Sequence, residues 1–144
     1  AVTAPTEDAS WSLQVAIVDF LTQRRDVQVV LGVNPVRIFD DVPEDAEFPY
    51  AVIGEDDEEN VGGDGLPGSG HSITVTVFSR AVGFKESKAI AGVLRRALEG
   101  VRVTVPGFDV IRLSWVNTQH RRHPDIAALR MSGLRVATEL RPVT

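Results

Sequence analysis

Cysteine is absent from the 144 residues, so the chain has no disulfide framework, thiolate zinc site or cysteine nucleophile, and its folding rests on packing. No apolar run approaches membrane-spanning length, and Ala1 to Asp8 show no basic stretch leading into an apolar one. These absences predict a soluble, unexported protein with no membrane partner, and the first residue, not a methionine, fits removal of an initiator before Ala1. Aromatic residues make up only 6% and are not interleaved with the arginines, which argues against sequence-specific nucleic-acid binding. The sharpest absence is local. From Asp40 to Ser79 there are eleven acids and no lysine or arginine.

Within a total of −5, residues 1–39 carry a net −1, residues 40–79 carry −11 and residues 80–144 carry +7. Two readings are open: opposed charged surfaces that favour self-association or docking, or a fold that interleaves the segments and cancels the field. A chain of this length with 43% hydrophobic residues predicts one core. Residues 1–10 read as a flexible arm and 11–144 as a single domain.

The chain is organised around His71 to Gly100. Ile73, Val75 and Val77 alternate with Ser72, Thr74 and Thr76, the period-two pattern of a strand with one buried face. From Phe84 the period changes: Ile90, Val93, Leu94, Ala97 and Leu98 form one stripe of a helix, and Gly100 supplies its stop. Such a helix needs a sheet to lie on.

Upstream, Ser10 is a candidate N-cap for a helix to about Arg24 carrying Trp11, Leu13, Ala16, Ile17, Phe20 and Leu21. Val27–Leu31 either extends it or forms a separate piece. Val36–Phe39 and Pro49–Gly54 are strand candidates joined by an acidic connection. Glu55 to Gly70, five consecutive acids followed by a glycine-rich run, predicts a mobile loop. Val101–Val105 and Val110–Val116 predict a hairpin around Pro106-Gly107, with Ile111, Leu113 and Trp115 sharing a face. Thr118–Asp125 predicts a basic loop. Ala127–Leu140 predicts a last strand with Leu134, Val136 and Leu140 on one face and a bulge at Ser132-Gly133. The expected fold is α+β: a mainly antiparallel sheet packed by two helices, in the order helix, strands, helix, strands.

The chemical motifs are thin. Gly63 to Gly68 spells G-x-G-x-x-G but precedes a strand instead of opening a helix, and it follows carboxylates that would repel a pyrophosphate. Glu55, Asp56, Asp57, Glu58 and Glu59 lack the alternation of a calcium loop, which leaves a solvated acidic segment with weak cation binding as the alternative. His120 and His123 flank two arginines and precede Pro124, the setting of a basic surface loop and not of a zinc site. No nucleophile elbow, H-E-x-x-H or apolar lysine appears, so no catalytic residue, metal or cofactor is expected.

Val36-Arg-Ile-Phe-Asp-Asp-Val-Pro-Glu-Asp-Ala-Glu-Phe-Pro-Tyr-Ala-Val-Ile-Gly54, His71-Ser-Ile-Thr-Val-Thr-Val-Phe-Ser-Arg80 and Lys88-Ala-Ile-Ala with Arg96-Ala-Leu98 resemble the tail completion family of long-tailed bacteriophages and gene transfer agents, also called tail terminator or tail-to-head joining proteins. The longer glycine-rich acidic segment and His123-Pro-Asp-Ile126 depart from the family pattern. The resemblance implies a structural, non-enzymatic virion protein at the head-tail interface, assembled in the host cytoplasm. It implies a homo-oligomeric, commonly six-fold, ring that caps the tail tube, stops its growth and meets the head connector, with DNA passing through unread. A head-side connector or stopper, and a small-ligand or ion-binding domain, are the alternatives. Charge alone nominates Asp40, Asp41, Glu44, Asp45 and Glu47 against Arg95, Arg96, Arg121 and Arg122 as a subunit interface. It also nominates Glu55, Asp56, Asp57, Glu58, Glu59 and Asp64 as a loop facing the opening or a partner.

Overall fold

The alternation of Ile73, Val75 and Val77 becomes the middle of a sheet because both flanking strands can bury their own apolar sets on the same side. A computed structural model describes residues 8–63 and 65–143. Its elements are α1 (Ala9–Thr22), α2 (Arg25–Leu31), β1 (Ile38–Phe39), β2 (Tyr50–Asn60), β3 (Ser69–Ser79), α3 (Lys85–Leu98), β4 (Phe108–Val110), β5 (Ser114–Arg122) and β6 (Arg130–Pro142). The strands form one sheet in the order β1, β2, β3, β6, with β4 and β5 both pairing the far side of β6. Among the described residues only β1 and β2 run parallel; the other pairs are antiparallel. The α+β class and the mainly antiparallel sheet therefore hold.

All three helices serve one face of this sheet. Ile73, Val75 and Val77 of β3 and Leu134, Val136 and Leu140 of β6 are buried there against Leu94, Ala97 and Leu98 of α3 and Leu13, Ile17 and Leu21 of α1. Of the expected α3 stripe, Val93 alone is only half-buried. The opposite face, carrying Thr74, Thr76, Gln119, Met131 and Gly133, has no helix over it among the described residues.

Several expectations change. Among the described residues there are three helices instead of two, because α1 stops at Gln23 and Arg24 turns extended before a separate α2. Ser10 lies inside α1 and spends its hydroxyl on Asp56 instead of capping the helix. Residues 1–7 of the expected arm lie outside the described residues, while Ala9 and Ser10 belong to α1. Glu55 to Asn60 is not a loop: these residues extend β2 and pair with Ser69 to Thr74, since a backbone ladder satisfies their polar groups whatever the side chains. Val101–Val105 is not a strand: Val105 bridges Phe108, and Val101 accepts the Leu113 N–H at 2.7 Å, while Val110 pairs with Leu140 of β6. The expected basic loop from Thr118 is strand β5 as far as Arg122, turning back through 123–129 into β6. Ser132 and Gly133 pair in regular register; the irregularities fall at Gly54 and Val116.

Candidate assembly surface

The five acids in a row are sorted by one glycine. Ala51 and Ile53 of β2 are buried, so strict alternation would carry Glu55, Asp57 and Glu59 under the helices. A bulge at Gly54, whose φ of 145° disfavours any side chain, shifts the phase by one residue. Glu55, Asp57 and Glu59 now pair with Thr74, Ser72 and Gly70 on the bare face, and Arg135 of β6 binds Asp57 across it. Only Asp56 and Glu58 turn toward the helix layer. Asp64 lies outside the described residues.

Asp56, with a side chain 7% exposed, accepts hydrogen bonds from Ser10 in the first turn of α1 and from the His71 imidazole at 3.3 Å. Its carboxylate suits the positive end of the α1 dipole. Ser69 lies 2.8 Å from the other His71 nitrogen. The order Ser69, His71, Asp56 has the connectivity of a nucleophilic triad, which the sequence spacing did not reveal because Asp56 comes from the opposite strand. Yet the imidazole is fully buried, and Glu58 stands 3.6 Å from the nitrogen facing Ser69. A substrate cannot reach that nitrogen, so the network's action is structural: it ties the β2–β3 hairpin to α1. The second oxygen of Asp56 has no hydrogen-bond partner among the described residues.

His120 and His123 do not converge. His120 bonds Ser132 at 2.7 Å, while His123 accepts the backbone N–H groups of Asp125 and Ile126. Among the described residues no group of three or more histidine and acidic side chains is placed to hold a metal ion. No described helix is long and apolar enough to cross a membrane.

The charge-nominated residues fall on opposite borders of the sheet. Asp40, Asp41, Glu44, Asp45 and Glu47 occupy the connection from β1 to β2, beside the β1 edge, and none forms an ion pair among the described residues. An apolar groove of about 250 Å³ adjoins them between α1 and β1, lined by Trp11, Val15, Phe39, Asp40 and Asp41 among others. The four arginines lie toward the other border but do not act as one patch. Arg95 stacks 3.5 Å over Trp115 of β5 and pairs with Glu99. Arg96 is exposed on α3. Arg121 points to the bare face, where it binds Gln119, whereas Arg122, one residue on, turns to the helix side and lies over Phe84. Arg121 and Arg122 are adjacent in sequence, but the pleat of β5 separates them. Phe84, Lys88 and Arg130, none of them among the residues nominated for the interface, join Arg122 in one cationic cluster.

A comparison with curated proteins found no match. Among solved structures the chain resembles a chain of the virion of a native gene transfer agent particle, with a TM-score of 0.84 at 22% identity, covering 94% of this chain and 99% of that one. That likeness supports the fold. The profile of the family described as tail completion protein gp17 matches residues 15–137, which span both sheet borders, the acidic strand and all of α3. The chain belongs to the tail completion protein gp17 family.

Proposed function

We propose that this protein is a structural component of the virion that assembles with copies of itself into a ring, six-fold in the reading that the family resemblance favours. The ring caps the tail tube, ends its growth and joins it to the head connector. The observation that carries this reading is a single sheet with two free borders of opposite charge. A closed ring needs non-identical complementary patches, whereas a two-fold dimer sets each patch against itself. The family and the gene transfer agent neighbour support the same reading.

In this arrangement the segment with Asp40, Asp41, Glu44, Asp45 and Glu47 meets the border carrying Arg95, Arg96, Arg121 and Arg122 on the next copy. Exposed ion pairs contribute about 0–1 kcal/mol each, so apolar contacts supply most of the affinity and the charges set register and rate. Added salt slows assembly more than it loosens the finished ring. Glu55 and Glu59, turned to the bare face beside the paired Asp57 and Arg135, face the opening, where their charge opposes adhesion of DNA phosphates as the duplex passes.

The test is binding to purified tail tubes and to heads lacking tails, with native mass measured alongside. Capture by tubes as a closed oligomer is expected. Capture by heads alone would replace this reading with a head-side stopper. A species that stays monomeric with both would end the ring reading.

A further inference from the structure

Phe84, immediately before α3, has three cations around one ring: the Arg130 guanidinium at 5.4 Å, the Lys88 ammonium at 5.6 Å and the Arg122 guanidinium at 5.7 Å. They come from β6, α3 and β5, and none forms an ion pair among the described residues. Glu86, the nearby acid in the first turn of α3, accepts the Ser79 hydroxyl at 2.7 Å. The Nε of Arg130 is buried without a hydrogen-bond partner among the described residues, while its Nη1 donates to the Ala127 carbonyl at 2.7 Å. One aromatic face attracts each cation weakly and does not cancel the repulsion among three. His120, two positions before Arg122 on the same side of β5, takes a proton less readily than a free imidazole, first from lost hydration and then from the charge of Lys88. The cluster is short of an anion.

The chain carries a matching anionic segment on its other border: Asp40 leaves β1 one step beyond the Phe39–Val52 pair, and the Glu47 end comes back to the level of the cluster. Ser79 of β3 pairs with Arg130, which pairs with Arg122, so the cluster sits at the end of the sheet where β3 finishes. Tyr50, at the start of β2, pairs with Phe78 at that same end. The acidic connection returns to this end through Phe48, on which Arg80 stacks at 4.3 Å. Rotation about an axis parallel to the strands brings one border against the other without changing level. Apolar surface lies beside each partner: fully exposed Val82 near Phe84, and the Trp11–Phe39 groove beside Asp40.

We propose that the Phe84, Lys88, Arg122 and Arg130 cluster is the receptor for the Asp40–Glu47 segment of a neighbouring copy, with the strands of the sheet running along the ring axis. This rests on the ring reading and names its contact. A DNA backbone would also satisfy these cations, but it would leave the acidic segment of every subunit unneutralised.

The experiment compares native mass on purified tail tubes, together with binding of a short DNA duplex, for the wild type, two paired reversals, their fourfold combination and one single reversal. Lys88→Glu with Arg122→Glu changes two exposed side chains, and thermal melting checks that the fold is kept. Assembly is expected to weaken by about tenfold or more, as it should for Glu44→Lys with Asp45→Lys, and to return when all four are combined. Arg25→Glu, an exposed reversal on α2, controls for net charge and should leave assembly unchanged. Wild-type assembly by a folded Lys88→Glu, Arg122→Glu variant, or no rescue by the fourfold variant, overturns this contact while the ring stands. Loss of duplex binding with assembly intact also overturns it and makes the cluster a nucleic-acid surface. A wild type that never assembles overturns both readings.

Discussion

The two faces of the sheet differ in what their residues are asked to do. On the covered face, β3 and β6 bury Ile73, Val75, Val77, Leu134, Val136 and Leu140, each 1% exposed or less, beneath α1 and α3. On the bare face the same strands present Thr74, Thr76, Gly133 and Arg135, which pack against no helix among the described residues. One face therefore holds the fold together, and the other is free to vary with what lies outside it. The difference also explains why the charged residues matter by phase and not by number: one step along a strand moves a side chain from the first role to the second.

Breaking the covered face should give the largest effect. Leu94→Ala removes a fully buried side chain from the middle of α3 and should cost about 2–5 kcal/mol, read by chemical denaturation. An unchanged midpoint would mean that α3 does not hold the core. A smaller loss is expected from Gly54→Ala, which forces a side chain onto a left-handed backbone position at about 1–3 kcal/mol, although the nearest atom to the new methyl group is 3.7 Å away. If the bulge were to collapse, Glu55, Asp57 and Glu59 would swing toward the helices, and amide exchange along β2 would rise.

A weaker contrast lies in pH. His120 binds its proton less readily folded than unfolded, so the unfolded chain takes up more protons as pH falls below the ordinary value of 6.5. Its contribution is full above that pH and declines through the acid side. His120→Gln should flatten the fall in melting temperature between neutral and mildly acidic buffer, and an unaltered slope would count against it. The smallest effect belongs to the bare face. Thr76→Ala should change stability by no more than about 0.5 kcal/mol in the isolated protein. A larger loss would show that this face is packed.

The expected helix over Phe84–Gly100 and the alternation over His71–Ser79 were legible because each repeats one residue class at one period, and burial follows period directly. The acidic run was not. Glu55 to Glu59 shows five like charges in a row, which reads as unpairable, but a strand needs only backbone groups to pair, and β3 supplies them. The Ser69, His71 and Asp56 network was hidden for a related reason: two strands meet at a register that composition does not state.

By itself the sequence determined the covered face, the segregation of charge and the family to which the chain belongs, since these depend on residue type and local spacing. Tertiary structure decided the rest. Gly54 set which acids face outward, the pleat of β5 divided Arg121 from Arg122, and three separate elements brought Lys88, Arg122 and Arg130 around Phe84. Those outcomes depend on strand register and helix placement, which arise from the pairing of distant segments and leave no period in the chain.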